Sequence, residues 1–376
     1  MEAEVITLAR QLIQKPSFTP DDAGCIPLIM NRMEGQGFQG AHHQLGPVDN
    51  VLIWHGESEG PSLLFLGHTD VVPTGDVADW THDPLSGHVE NGIMHGRGVA
   101  DMKGSVAAMI LAMEKFVGEN PNHKGKIGLM LTSDEEGEAK DGVKRFMPMM
   151  VKDHHFDCCL VGEPSSSEKL GDTVRVGRRG SLHVFIKILG KQGHVAYPQN
   201  AENPVFKAAK AIDALNHVVW DEGNDDFPPT SFQISNVSAG TGAANVIPGS
   251  MLLQANFRYS PESTQASLSE QLEQVLLQFG LEYELTWQLS GEPFHCKDEH
   301  FKTQLRESIE QIAGVKPEFN TGGGTSDGRF VAPHGIATME LGPINKTIHR
   351  VNESQPVRNL LLLECIYLDL IKRMLK

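Results

Sequence analysis

Short apolar runs that do not alternate with polar residues set the strongest limit on how this chain folds. The runs are 62–66 (SLLFL), 126–131 (KIGLML) and 157–161 (DCCLV). Runs of this length between turn residues are typical of strands that are buried on both faces of a sheet. Helical spacing occurs at 3–14, 103–117 and about 141–150. The pattern therefore predicts an α/β domain in which helices cover a central sheet.

The pattern changes near residue 180, where 181–189 (SLHVFIKIL) alternates like a half-buried strand. The following elements are a helix at 203–217 opened by Asn203-Pro204, strands at 231–238 and 251–259, a helix at 264–279 and a strand at 281–289. The order β-α-β-β-α-β is that of a ferredoxin-like module.

After about residue 292 the first pattern returns. A helix at 298–313, a strand at 335–341 and a long C-terminal helix at 357–375 are expected there. We therefore expect one discontinuous α/β domain (1–179 and 293–376) that carries a small inserted α+β domain (180–292).

Composition excludes several classes of protein. With 376 residues and 40% hydrophobic content, the chain can bury the core of one large domain or two moderate ones. The formal charge of −16 argues against nucleic acid or an anionic membrane as a partner. The first residues lack the basic and apolar regions of a signal peptide, and no apolar run reaches about 18 residues. Five cysteines without metal-type spacing complete the expectation of a cytoplasmic protein with reduced thiols.

Acidic residues and histidines follow the predicted strands at the point where each strand ends. They are His68, Glu135, Glu136 and Glu163 after the three apolar runs, His349 after the strand at 335–341, and Asp101 just before the helix at 103–117. Ligands of open α/β sheets bind at the carboxyl ends of the strands. Any one of these residues alone is equally well explained as a surface loop residue. Their repetition at successive strand ends favours a metal site on one rim of the sheet.

The residue types in this group also favour one kind of chemistry. Histidines with carboxylates and no cysteine suit zinc, cobalt or manganese in a hydrolytic site, not a structural zinc site. One carboxylate can bridge two metals, and a metal pair activates water for hydrolysis. The side chains of Glu135 and Glu136 diverge, so one can bind metal while the other accepts a proton.

Four segments resemble the signature segments of the di-zinc aminoacylase/carboxypeptidase family of metallopeptidases. They are GHTDVVPTGD (67–76), GRGVADMKG (96–104), TSDEEGEA (132–139) and VGEPS (161–165). Within that family, GGGTSDGRF (322–330) and GPINKTIHRVNE (342–353) resemble the succinyl-diaminopimelate desuccinylases. The resemblance implies a phosphorylase/hydrolase-like catalytic domain, with a central mixed sheet flanked by helices, and an inserted ferredoxin-like dimerisation domain.

The resemblance also implies a role for each site residue. His68 and Glu163 are expected to hold one zinc ion, Glu136 and His349 the other, and Asp101 to bridge the two, with cobalt or manganese as substitutes for zinc. Glu135 is the expected general base, and Asp70 is expected to orient His68. His194, in GKQGHVAYP (190–198), is expected to reach the active site of the partner subunit in a homodimer and to stabilise the oxyanion. A cis peptide is expected at Asp101-Met102.

The implied substrate is N-succinyl-LL-diaminopimelate, a small molecule with three free carboxylates. Arg178, Arg179 and Arg258 are the best candidates to bind them, because a guanidinium group matches a carboxylate in two hydrogen bonds. The resemblance adds Ser181, Tyr197, Asn245, Thr325 and Asn345 as polar contacts. Which of these residues binds the succinyl end and which the amino-acid end is left open.

Alternative interpretations accompany this one. His194 is also consistent with an ordinary loop histidine, and Arg178 and Arg179 with solvated charges at a strand end. A related deacylase acting on acetylornithine or another acylated amino acid, or a dipeptidase, would share the fold and metal site. A non-catalytic binding protein is a further alternative, although it has no need of a general base such as Glu135.

Overall fold

The computed structural model describes residues 2–57 and 59–375. Two compact units divide the chain. Unit 1 contains the residues up to Gly177, His295–Asn320 and the residues from Ser326 onward, and unit 2 contains Arg178–Phe294 and Thr321–Thr325. The short segment Thr321–Thr325 thus packs with the smaller unit, whereas the division expected from sequence leaves it in the larger one.

Unit 1 is built on a mixed eight-stranded sheet with helices on both faces, which confirms the expected fold class. With helices and strands numbered along the whole chain, its helices are α1 (Glu4–Ile13), α2 (Cys25–Glu34), α3 (Lys103–Glu119), α4 (Val143–Met150), α7 (Glu299–Ala313), α8 (Gly328–Val331) and α9 (Val357–Leu375). The strands of its main sheet are β1 (Gln39–Leu45), β2 (Val48–Gly56), β3 (Ser62–His68), β6 (Lys126–Thr132), β7 (Cys158–Val161), β8 (Thr173–Arg175), β17 (Glu318–Asn320) and β18 (Ala337–Glu340). A separate three-stranded sheet contains β4 (His88–Glu90), β5 (Ile93–His95) and β19 (Ser354–Pro356).

Four neighbouring strands at the centre of the main sheet run parallel to one another. The strand order is β1-β2-β6-β3-β7-β18-β8-β17, in which β3 pairs in parallel with β6 and β7, and β7 with β18. At one side of the sheet, β2 pairs antiparallel with β6, and the edge strand β1 pairs antiparallel with β2. The carboxyl ends of β6, β3, β7 and β18 therefore meet at one edge of the sheet.

The core explains why the apolar runs do not alternate. In β3, Leu63 and Phe65 pack in the cluster formed with α1, α3 and α9, while Leu64 and Leu66 pack in the cluster formed with α4. Every second side chain therefore faces a different layer of helices, and both faces need apolar residues. Gly128 in β6 leaves room for Phe156, whose ring lies 2.5 Å from where a Cβ atom would stand.

Unit 2 has the ferredoxin-like order expected from its sequence. Its main elements are β10 (Gly180–Leu189), α5 (Pro204–Leu215), β12 (Ser231–Ala239), β14 (Ser250–Tyr259), α6 (Gln265–Gln278) and β15 (Tyr283–Gly291). The strands form an antiparallel sheet of order β12-β14-β10-β15, and α5 and α6 share one core with it. The side chain of Asn203 accepts the N–H of Val205, so Asn203-Pro204 does begin α5.

The remaining strands of the described residues are each two residues long. Two lie in unit 2, β11 (Gly193–His194) and β13 (Val246–Ile247), and the chain passes between the units at β9 (Gly177–Arg178) and β16 (Phe294–His295). Among residues 2–57 and 59–375, no helix is long and apolar enough to cross a membrane.

Candidate metal centre

The parallel strands bring the predicted donor residues to one edge of the sheet in unit 1. His68 is the last residue of β3, Glu135 and Glu136 follow β6, and Glu163 follows β7. Asp101 comes two residues before α3. His349 lies in the loop between β18 and β19. Because these strands end at a common edge, residues up to 281 positions apart in sequence converge there.

Asp101 lies at the centre of the group. Its Oδ1 is 3.2 Å from Nε2 of His68, and its Oδ2 is 3.3 Å from Nε2 of His349. Nε2 of His68 lies 3.8 Å from Oε1 of Glu163. Nε2 of His349 lies 3.0 Å from Oε1 of Glu136. The two oxygens of one carboxylate therefore face two separate histidine–glutamate pairs.

Two sets of donor atoms fit metal ions. His68, Asp101 and Glu163 each offer one donor atom, and these atoms lie within 4.8 Å of one another; the same holds for Asp101, Glu136 and His349. The buried Oε1 of Glu163 has no hydrogen-bond partner within residues 2–57 and 59–375, although such an atom normally finds one. Imidazole and carboxylate donors suit zinc, cobalt and manganese. The residues present therefore fit a two-metal centre bridged by Asp101.

Crowding of acidic groups changes the protonation of the site. Burial raises the pKa of Glu135 well above its usual range, and the neighbouring Asp327 raises it further. Burial and the proximity of Asp101 do the same to Glu163. Burial also acts to raise the pKa of Asp101, but hydrogen bonds from His349 and His68 outweigh it and hold that pKa below its usual range.

The pKa values of the two histidines are raised as well. Hydrogen bonds to Asp101 and Glu136 raise the pKa of His349 to about 10. Burial disfavours the charged form of His68, yet its hydrogen bond to Asp101 and the surrounding acids raise its pKa well above the usual value. Both rings therefore sit in a strongly negative field, which is the field that attracts a divalent cation.

Asp70 supports the site through the main chain. Its carboxyl oxygens accept the N–H groups of Glu135 and Glu136 at 3.3 and 3.1 Å. The ring Nδ1 of His68 lies 2.9 Å from the main-chain oxygen of Asp70 and 3.6 Å from its carboxyl Oδ1. Asp70 thus touches both the His68 ring and the loop that carries the two glutamates.

Glu353 holds the loop that carries Asp101, and sequence reasoning did not find it. Its buried carboxylate accepts N–H groups of Gly98, Ala100 and Asp101 at 2.9–3.3 Å. The same carboxylate pairs with Arg97 at 2.7 Å. The peptide Asp101-Met102 is cis, as the resemblance implied. The only sequence signal for Glu353 is its place at the end of the segment 342–353.

Asp327 is a second acidic residue that was not predicted. It is 3% exposed, and among the described residues neither carboxyl oxygen has a hydrogen-bond partner, although Nη2 of Arg329 lies 3.9 Å from Oδ1. Burial raises its pKa to about 6, although Arg329 opposes this shift. The segment 322–330 contains Asp327, but the resemblance singled out Thr325 in that segment instead.

The remaining predicted residues fall almost entirely in unit 2. His194 is exposed in β11, its Nδ1 accepts the N–H of Ala196, and its ring lies 5.7 Å from that of Tyr197. The main-chain oxygen of Asn245 accepts the N–H of Val195. These three predicted residues are therefore neighbours within unit 2.

The predicted arginines of unit 2 differ in their surroundings. Arg178 is buried and donates to the main-chain oxygen of Gly322 at 2.6 Å. The buried Nε of Arg179 has no hydrogen-bond partner. Arg258 stands directly opposite Ser181 across β14 and β10. Of the other two predicted contacts, Thr325 belongs to the segment Thr321–Thr325 of unit 2, and Asn345 lies in a short helical turn of unit 1.

A mixed sheet whose strand ends collect two histidines and several carboxylates defines a metal-dependent hydrolase. Residues 64–373 match the profile of Peptidase family M20/M25/M40. The chain belongs to this family.

Two relatives extend the match to nearly the whole chain. A succinyl-diaminopimelate desuccinylase of Methylococcus capsulatus is 47% identical over 366 residues, which cover 97% of both chains. A succinyl-diaminopimelate desuccinylase of Stenotrophomonas maltophilia is 47% identical over 372 residues, which cover 99% of both chains.

Solved structures share the fold at lower identity. An M20 family metallo-carboxypeptidase of Sulfolobus solfataricus superposes with a TM-score of 0.82 at 17% identity, covering 99% of both chains. A dinuclear metal-binding M20 peptidase of Bacillus subtilis superposes with a TM-score of 0.73 at 16% identity, covering 97% of this chain and 96% of that one. At these identities the likeness concerns the fold alone.

The Glu353 contacts lead to a first prediction. We expect Glu353→Gln to weaken metal binding by about 10–100-fold. The three main-chain N–H groups donate to two carboxylate oxygens in the wild type, whereas the amide of glutamine offers only one acceptor oxygen. Metal content at a series of buffered zinc concentrations measures the effect. Glu364→Gln is the matched control, since Glu364 of α9 is also buried and also forms an ion pair, with Lys115 of α3. Equal metal affinity in both variants would contradict the role of Glu353.

Proposed function

We propose that this chain is a zinc-dependent amide hydrolase that converts N-succinyl-LL-2,6-diaminopimelate and water into succinate and LL-2,6-diaminopimelate. The observation that carries the proposal is 46–47% identity, over nearly the full length, to relatives named succinyl-diaminopimelate desuccinylase. The segments 322–330 and 342–353 also resemble those enzymes. Of the proposed metal ligands they contain only His349, so their resemblance supports the proposal separately from the other metal ligands.

In the proposed site, His68 and Glu163 would hold one zinc ion and Glu136 and His349 the other, and Asp101 would contribute to both. The zinc pair supplies Lewis acidity that activates water and stabilises negative charge on the amide oxygen. Imidazole and carboxylate donors without cysteine support zinc, with cobalt or manganese as substitutes.

Glu135 is the proposed general base. It accepts a proton from the water as the water oxygen bonds to the succinyl carbonyl carbon. It then gives that proton to the amine nitrogen as the C–N bond breaks, which releases succinate and the free amine. Its N–H is held by Asp70, which supports a fixed position for its carboxylate. The half-buried position of Glu135 also limits competing contacts with solvent.

His194 is the proposed oxyanion donor, supplied by the partner subunit of a homodimer. Because its Nδ1 accepts the N–H of Ala196, the neutral ring carries its proton on Nε2, which makes Nε2 a donor. Unit 2 exposes large apolar side chains that a partner subunit can cover: Val195, Tyr197, Phe206, Val237 and Leu252. Among the described residues, the edge strand β12 pairs only with β14, which leaves one side open for pairing.

Arginines and polar groups of unit 2 are proposed to bind the substrate carboxylates. Arg179 is the strongest candidate, since a buried guanidinium nitrogen without a partner is satisfied by a carboxylate ligand. Arg178, Arg258, Ser181, Tyr197, Asn245 and Thr325, together with Asn345 of unit 1, complete the proposed set.

The function is tested by a substrate panel. We expect kcat/KM for N-succinyl-LL-diaminopimelate to exceed that for acetylornithine, other acylated amino acids and dipeptides by at least about 100-fold, because buried polar groups left without partners penalise substrates that lack the matching groups. Chelation should abolish succinate release and zinc should restore it. A preference for acetylornithine or a dipeptide would assign the chain to a related activity instead.

The general base gives a separate prediction. We expect Glu135→Gln to lower kcat by on the order of 10²–10⁴, because the amide cannot accept the proton of water. Metal content should stay at the wild-type value, since Glu135 is not a proposed ligand. Glu138→Gln makes the same change at an exposed position of the same loop and should leave kcat unchanged. Full activity of Glu135→Gln would rule out this mechanism.

The shared site is tested by complementation. We expect His194→Ala to lower kcat by about 10²–10³, as loss of an oxyanion donor does. Mixing it with Glu135→Gln should restore about one quarter of wild-type activity, because half of the random dimers are mixed and each has one intact site. A mixture of Glu135→Gln with the double variant Glu135→Gln/His194→Ala is the control and should stay inactive. No recovery in the first mixture would place His194 and Glu135 of one site in the same chain.

A further inference from the structure

A second group of metal-type side chains lies on the three-stranded sheet of unit 1. Its members are His82, His88, Glu90 and His95. None of them belongs to the metal centre described above. His88, Glu90 and His95 come from the hairpin of β4 and β5, and His82 comes from the loop before it.

The hairpin fixes the positions of three members. Asn91 and Gly92 form its turn with φ values of 50° and 76°, which is the left-handed backbone of a type I′ turn. This turn sets the register in which His88 stands directly opposite His95. Glu90 is two residues from His88 and therefore on the same face of the strand.

His82 is brought to that face by contacts of its own loop. The N–H of Thr81 donates to Oδ1 of Asn352 at 2.7 Å, and the N–H of Arg97 donates to the main-chain oxygen of Pro84 at 2.7 Å. The His82 ring stacks on His88 with centroids 4.3 Å apart and lies 4.7 Å from the His95 ring. Its Nε2 is 3.5 Å from Oε2 of Glu90.

The donor atoms are close enough for one ion. One donor atom each from His82, His88 and Glu90 lie within 4.8 Å of one another. Donors around a tetrahedral zinc ion with bonds of about 2.0–2.1 Å stand about 3.3 Å apart, so small rotations of the exposed His88 and Glu90 side chains suffice. His95 is not among these donors; its ring packs 4.7 Å from the His82 ring, from the other strand of the hairpin.

We propose that His82, His88 and Glu90 bind one divalent transition-metal ion of the zinc, nickel or copper type at a site separate from the metal centre. Two imidazoles and one carboxylate select such ions over magnesium or calcium, which prefer oxygen donors.

The site adjoins the segment that supports the metal centre. His95 pairs with Ser354 across β5 and β19, and the N–H of Gly96 donates to the main-chain oxygen of Glu353 at 3.0 Å. An ion bound by these three side chains therefore links the loop at His82 to the hairpin whose second strand pairs with the strand after Glu353.

Zinc counting by equilibrium dialysis tests the proposal with the full chain. Over rising free zinc, wild type is expected to bind one more ion per chain than His82→Ala/His88→Ala. The control is His42→Ala/His155→Ala, which removes two partly or fully exposed histidines that each pair with an aspartate, and it should keep the wild-type number. Equal numbers in wild type and the cluster variant would overturn the proposal.

Two further measurements keep the result clear. At zinc concentrations that fill only the tighter sites, the cluster variant should retain wild-type activity, so a loss of the extra ion is distinct from damage to the metal centre. If the double variant does not fold, His88→Gln replaces it, because His88 is exposed and the change leaves the core intact. The difference of one ion does not depend on which amide the enzyme hydrolyses. The result therefore tests the hairpin site independently of the proposed function.

Discussion

Repulsion between carboxylates is the constraint on which the rest of the site depends. Asp101, Glu136 and Glu163 lie with Glu135 at one edge of the sheet, where burial removes much of the water that screens them. Burial raises the pKa of Glu135 and of Glu163, and the neighbouring carboxylates raise it further. Two histidines offset part of the negative charge. The edge therefore collects more negative charge than its own side chains neutralise, and divalent cations are the groups that complete the balance.

Such a group of like charges stays in place only because the main chain around it is held firmly. Asp70 and Glu353 each accept main-chain N–H groups next to a predicted ligand. A carboxylate that binds main-chain donors fixes the backbone itself, whereas packing alone leaves a loop free to relax when the metal leaves. The two residues thus support opposite sides of the centre, the glutamate loop and the Asp101 loop.

Sequence reasoning found the parts of the fold that carry a periodic or compositional signal. The apolar runs predicted β3, β6 and β7 because both faces of these strands are buried, and alternation predicted β10. It missed α2, β1 and β2. In β1, exposed and half-buried residues alternate and include His42 and His43, so no apolar pattern marks it as a strand. The strands β8 and β17 are three residues long and too short to show any period.

The same limit applies to the site. Strand ends carry a local signal, so His68, Glu136 and Glu163 were predicted from the residues themselves. Glu353 acts on a loop 252 positions away in sequence, and only the fold brings the two together. Asp327 has no local signal either, since an aspartate after a glycine-rich run is equally typical of a turn.

The proposed metal ligands and the proposed general base lie in unit 1, and most residues proposed to bind the substrate lie in unit 2. All proposed metal ligands and the base belong to unit 1, whereas Arg179, Arg258 and His194 belong to unit 2. A chain with a formal charge of −16 binds a tricarboxylate only through local cations, and unit 2 supplies the proposed ones. Solved M20 structures described as a carboxypeptidase and as a dinuclear peptidase share the fold at 16–17% identity. In the proposed assignment the metal ligands lie at strand ends of unit 1 and most substrate contacts lie in unit 2, so new side chains in unit 2 would alter the choice of substrate and leave the metal ligands as they are.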